Sequence, residues 1–147
     1  MTCVWFREAV SESDLPAVAA ELAEVLARLT GECSVVALDG EMGAGKTTTV
    51  RALGAVWGVE DEVASPTFAL VHVYGTRAGR KIYHMDLYRI ENESEAQEIG
   101  LLEYYDGPDL CLVEWADRAA GLLPPESLRL RIGVGPDGKR SLELLVP

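Results

Sequence analysis

The residues Gly40-Glu41-Met42-Gly43-Ala44-Gly45-Lys46-Thr47 carry the densest chemical signal in the chain. Glycines at 40, 43 and 45 let the backbone curl so that several N–H groups point at one anion with no side chain in the way. Lys46 follows as a point charge for the β- and γ-phosphates, and the Thr47 hydroxyl is a hard oxygen ligand for Mg²⁺. The pattern G-x-x-x-x-G-K-[ST] is matched in full, and the chemistry it predicts is Mg-ATP binding, with Gly43, Ala44, Gly45, Lys46 and Thr47 around the phosphates. Thr48 either donates toward the α-phosphate or is a threonine on the helix surface.

Such a loop needs an acid on a neighbouring strand. Glu114 leads, because the apolar run Leu110-Cys111-Leu112-Val113 precedes it and strand ends are where α/β sheets place ligands. Asp86, closing Ile82-Tyr83-His84-Met85, is the second candidate. Two acids at strand ends would hold Mg²⁺ and orient an attacking water; the alternative for each is a solvated acid at a strand terminus. His84 reads as a packed strand residue rather than a catalytic base. Arg89 contacts a phosphate or a partner carboxylate, or is an ordinary surface arginine.

The elements that must position these groups follow from the hydrophobic pattern. Ser34–Leu38 is a short apolar run, as a strand buried on both faces should be, and it feeds the glycine loop. Lys46–Trp57 reads as a helix stopped by Gly58. Upstream, Val4-Trp5-Phe6 is a strand candidate. A helix follows, capped by Ser11 or Ser13, with Leu15, Val18, Ala19, Leu22, Leu26 and Leu29 on one face and Gly31 as its stop. Residues 67–74 and 81–87 form a hairpin around the polar turn Thr76–Arg80, and residues 91–98 start a short acidic helix ending near Gly100. Strands at 127–134 and 140–146 flank Pro136-Asp137-Gly138, a strong turn signal. The expected fold is one α/β domain over residues 1–147: a P-loop NTPase-like, mostly parallel central sheet flanked by helices, with the hairpin near 68–87 and the C-terminal hairpin as antiparallel additions.

Composition narrows the function classes. The net charge is 13 − 24 = −11, which disfavours strong direct binding to nucleic acid, since phosphate neutralisation needs a basic face. No apolar stretch approaches the roughly 20 residues a bilayer requires, so no membrane role and a cytoplasmic location are expected. Cys3, Cys33 and Cys111 lack CxxC spacing, and two lie in apolar strand-like runs, so buried reduced thiols are expected.

Four blocks taken together are more specific than the loop alone. Gly40–Thr48, Ser65-Pro66-Thr67-Phe68, His84-Met85-Asp86-Leu87-Tyr88-Arg89 and Leu112-Val113-Glu114-Trp115 resemble, in order and rough spacing, the TsaE (YjeE) family over about residues 11–118. That family is the bacterial ATPase subunit of the tRNA threonylcarbamoyladenosine machinery. The resemblance implies that Ser65–Phe68 is a switch-like loop near the γ-phosphate, with Thr67 as its polar contact. It implies that Asp86 is needed for hydrolysis near the metal and that Glu114 binds Mg²⁺. Trp115 and the chain around Glu12 would lie near the nucleotide base, although Trp115 also suits plain core packing. Where the family commonly has Trp-Pro-Glu, this chain has Trp115-Ala116-Asp117, which puts a role for Asp117 in doubt. The resemblance further implies slow ATP hydrolysis that depends on partners, a two-protein transferase core of the TsaD and TsaB type, and tRNA contacted only indirectly. The competing readings are a small-molecule kinase on the same loop and a nucleotide-gated binding module. The segment 91–107 is acidic and free of arginine, unlike the arginine-bearing lid a kinase would use.

Overall fold

The computed structural model describes residues 1–30, 35–41, 43–59, 62–63 and 71–147. Among the described residues eight strands form one sheet: β1 (Thr2–Val10), β2 (Val35–Asp39), β3 (Glu62–Val63), β4 (Val71–Gly75), β5 (Lys81–Asp86), β6 (Leu110–Glu114), β7 (Leu128–Val134) and β8 (Arg140–Val146). Their spatial order is β1-β8-β7-β2-β6-β5-β4-β3. The four central strands β7, β2, β6 and β5 are parallel neighbours, and antiparallel pairs flank them on each side. The α/β expectation therefore holds, with one refinement. One strand from each hairpin, β5 and β7, joins the parallel centre, and only its partner is an antiparallel addition.

Burial follows this order. β2 and β6 lie in the interior and are buried on both faces, so they read as continuous apolar runs. Alternation along the strands sorts side chains into two cores. Val36, Leu38, Ile82, Leu110 and Leu112 pack with Leu22 and Leu26 of α1 (Leu15–Leu29) and Leu53 of α2 (Lys46–Trp57). Val35, Ala37, Met85, Cys111 and Val113 face the other way, against Ala96 of α3 (Glu93–Glu98) and Leu101 and Tyr105 of α4 (Leu101–Asp106). The sheet is thus clad by α1 and α2 on one face and by α3 and α4 on the other.

Ser11 is the cap that opens the first helical segment. Its hydroxyl accepts from the Asp14 N–H, and Asp14 accepts from the Ser11 N–H in return, a reciprocal capping box. The Ser11 backbone N–H first, then the Ser11 hydroxyl, donate to the Asp14 carboxylate and hold it below its ordinary range. The short turn Glu12–Asp14 then leads into α1. The helix α2 begins and ends where expected, at Lys46 and at a left-handed Gly58. Helix α4 was not expected. Gly100 at φ +81° turns the chain, and Leu101 and Tyr105, one turn apart, drop into the second core.

One cysteine expectation is corrected: Cys3 is exposed, because β1 is an edge strand that buries only Trp5 and Val10. Cys111 is a buried free thiol, as expected. Gly31, Cys33 and residues 64–70, including Ser65, Thr67 and Phe68, lie outside the described residues. No described helix is long and apolar enough to cross a membrane.

Candidate phosphate and metal site

Three parallel strands end at one edge of the sheet and deliver the candidate residues there. β2 ends at Asp39 and passes directly into the glycine loop, which ends where α2 starts at Lys46. Gly43 and Gly45 have φ +83° and +98°, left-handed conformations that side chains rarely adopt. Gly45 caps α2 without any side-chain hydrogen bond. The N-cap residue therefore puts no side chain over the first-turn amides, and the positive end of the helix dipole lies at the loop. A helix start beside two glycines in left-handed conformation is an arrangement suited to an anion.

Lys46 is buried, and its Nζ donates to the Gly40 carbonyl at 2.9 Å while lying 4.4 Å from the Trp115 ring centroid. Trp115, at φ +58°, is one of two described non-glycine residues with positive φ. A conformation of that kind costs on the order of 1–2 kcal/mol for an L residue. It turns the indole back from the end of β6 onto the lysine. Tyr88 tilts against the same indole at 5.1 Å, and the Arg118 guanidinium lies 5.9 Å from it. Trp115 is thus packed, as one reading allowed, but what it packs against is the loop lysine.

Asp86 and Glu114 are direct register partners on β5 and β6. Parallel partners point to the same face, so both acids stand on the α2 face, at the ends of the alternations Ile82, His84, Asp86 and Leu110, Leu112, Glu114. They line a cleft of about 650 Å³ with Thr47, Arg51, His72 and His84. Glu114 is buried, and the His84 Nε2–H donates to its Oε2 at 2.6 Å. His84 is therefore more than a packed strand residue: it orients the acid. Asp86 is exposed, and its Oδ1 accepts from the Tyr88 N–H.

The donor set suits magnesium. Thr47, Asp86 and Glu114 offer oxygens only, and Glu114 Oε1 makes no hydrogen bond among the described residues. Among those residues no group of three or more His, Cys, Asp or Glu could hold a metal by itself. An ion that takes one or two carboxylates and completes its shell with water and phosphate oxygens would be held this way.

The remaining candidates are distributed as follows. Thr48 is half-buried in the first turn of α2, and Glu12 is exposed in the turn before α1. No contact among the described residues joins Glu12 to Trp115. Arg89 is exposed. Thr67 lies outside the described residues.

Two arginines escaped the sequence reading. Arg129 of β7 donates to both Asp39 carboxylate oxygens at 2.8 Å and to Asp117 at 3.3 Å. The hydrogen bond to Asp39, then the charge of both acids, raises the Arg129 pKa. Asp117 is therefore tied to the strand end that launches the loop. Arg140 of β8 donates its Nε–H to the Ala44 carbonyl at 2.8 Å. These pairs span 90 and 96 residues of chain, and no local pattern marks them.

A parallel centre whose strand ends carry a left-handed glycine loop, a buried lysine and two register-matched carboxylates defines a mixed α/β protein with a glycine loop at a helix start beside an acidic cleft. The chain belongs to the TsaE family: residues 10–142 match the family model described as threonylcarbamoyl adenosine biosynthesis protein TsaE. Relatives named tRNA threonylcarbamoyladenosine biosynthesis protein TsaE are similar over most of their length. That of Haemophilus influenzae is 37% identical over 126 residues, covering 85% of this chain and 78% of the relative. That of Treponema pallidum is 39% identical over 118 residues, covering 80% and 86%. The crystal structure of Bacillus subtilis YdiB superposes with a TM-score of 0.73 at 27% identity, covering all of this chain and 89% of that one.

Proposed function

We propose that this chain is a single-domain ATPase that binds and hydrolyses Mg-ATP at the glycine loop. In that role it serves formation of the threonylcarbamoyl group on the adenosine beside the anticodon of ANN-decoding tRNAs. It acts docked on transferase core proteins of the TsaD and TsaB type, in the cytoplasm. The observation that carries the reading is the convergence, at one sheet edge, of the start of α2, Lys46, and the Asp86–Glu114 pair.

In the proposed reaction the loop amides and the α2 terminus take the phosphates, and Lys46 exchanges Gly40 and Trp115 for phosphate oxygens. Thr47 and Glu114 would hold Mg²⁺, which supplies charge neutralisation at the β- and γ-phosphates when bound. His84 keeps Glu114 in one orientation. Asp86 orients the attacking water, and Thr67 contacts the γ-phosphate. Trp115 and Glu12 flank the nucleoside. Association of positioning with electrostatics is what phosphoryl transfer asks of a protein, because little covalent chemistry is left for side chains. The charge of −11 supports a division of labour in which partners hold the tRNA.

The test is reconstitution of tRNA modification with the transferase core, with and without this chain, scored over several turnovers and paired with calorimetric titration of ATP. The expected result is sustained modification only when the chain is present, and binding heat that Lys46→Ala abolishes. Absence of heat with the wild-type chain, or equal modification without it, refutes the proposal.

A further inference from the structure

We infer that Arg140 is a positioning residue that braces the phosphate loop from outside and turns the Gly45 amide toward the anion; this rests on the nucleotide-binding reading above. Arg140 opens β8 and is anchored in the sheet by pairing with Val134 on β7 and Val10 on β1. From there its Nε–H reaches the Ala44 carbonyl at 2.8 Å. The guanidinium also lies directly over Gly45: a Cβ built there would stand 2.5 Å from Nε and 3.0 Å from Cζ.

A planar trans peptide points its C=O and its following N–H in opposite directions. Holding the Ala44 oxygen on the β8 side therefore directs the Gly45 N–H to the other side. That other side is where Lys46 lies on Trp115, because β6 and β8 stand on opposite flanks of β2 in the sheet order. The brace thus works on the peptide at the centre of the loop, and it does so with a rigid fork rather than a flexible ammonium. Glycine at 45 serves both ends of the arrangement. It permits φ +98°, and it leaves the space the guanidinium fills.

Charge adds to geometry. Arg140 forms no ion pair among the described residues. It therefore brings a positive charge to a loop edged by Asp39, Glu41 and Glu143. The C-terminal hairpin thereby acquires a role at the site, although no motif in it announces one.

The experiment compares wild type, Arg140→Lys and Arg140→Met by calorimetric titration with Mg-ATP and by the ¹⁵N–¹H shift of Gly45 in the nucleotide-free proteins. Loss of one charge-assisted hydrogen bond predicts ATP binding weaker by about 10- to 100-fold in Arg140→Met. Arg140→Lys, which keeps the charge but not the fork, should fall between. In both variants the Gly45 amide should move before any nucleotide is added, a readout that a general loss of packing distant from the loop would not produce selectively. A wild type that binds ATP together with an Arg140→Met that binds within about twofold and an unmoved Gly45 amide would overturn the inference. If Arg140→Met fails to fold, Arg140→Lys decides by the same two readouts. A wild type that binds no ATP defeats the nucleotide reading instead, and the Gly45 shift in the unliganded variants still judges the brace.

Discussion

Replacing His84 by leucine removes the one side-chain hydrogen bond that holds Glu114 among the described residues, and the structure sets the size of the effect. The bond is short, 2.6 Å, and the two side chains are only 10% and 9% exposed. A hydrogen bond to a charged group contributes about 1.5–3 kcal/mol. Glu114 lines the cleft rather than the closed core, so the lower part of that span applies, about 1.5–2 kcal/mol. The assay is urea unfolding of His84→Leu, Glu114→Leu and the double variant. The double variant removes both polar ends together, so its cost should fall short of the sum of the single costs by about 1–2 kcal/mol. Additivity within about 0.5 kcal/mol would refute the claim that the two side chains act as a unit.

Further outcomes are expected at Gly45, Glu114 and Tyr105. Gly45→Ala forces a Cβ against Arg140 at a left-handed φ, so it should lose about 1–3 kcal/mol of stability and most ATP-binding heat; an unchanged titration would count against the loop geometry. Glu114→Ala should raise the Mg²⁺ concentration at half-maximal ATP hydrolysis, and an unaltered metal titration would remove Glu114 from the site. The Tyr105 hydroxyl is buried without a partner among the described residues, so Tyr105→Phe should match or exceed wild-type stability by thermal melting, whereas a loss above about 1 kcal/mol would reveal a hidden partner. Burial raises the Tyr105 pKa above its unfolded value of about 10, so the unfolded chain loses this proton first and stability falls as pH climbs past that value. Tyr105→Phe should therefore flatten the alkaline end of the stability profile, and an unchanged slope would contradict the assignment.

What the sequence made legible was local. The run into Gly40, the helix from Lys46 to a left-handed Gly58, and the alternations ending at Asp86 and Glu114 are each dictated by neighbours a few residues away. Their meeting at one edge follows once the strands are parallel, because ligand-bearing ends then coincide. The rest depends on pairings between distant segments. Nothing near Arg129 or Arg140 foretells Asp39 or Ala44, and the insertion of β7 beside β2 is a choice of topology that periodicity does not encode. His84 is packed, as read, but its bond to Glu114 was hidden because a histidine in an apolar strand reads as filler until the strand beside it is known to end in a carboxylate. Cys3 was misjudged because an apolar neighbourhood does not reveal an edge strand. The short helix after Gly100 was missed because six residues carry too few turns for a period to register.

The pairing of Asp86 with Glu114 also governs how the chain tolerates changes in length. An added or deleted residue inside β5 or β6 reverses every side chain beyond it, which would send one acid to the α3 and α4 side of the sheet. The same change in the polar turn Thr76–Arg80 leaves the register downstream of Lys81 intact. Insertions and deletions are therefore partitioned: a change in the turn costs only its own contacts, such as the Arg77 N–H on the Trp57 carbonyl, while the dozen or so peptide units leading up to the carboxylates are held to an unbroken count.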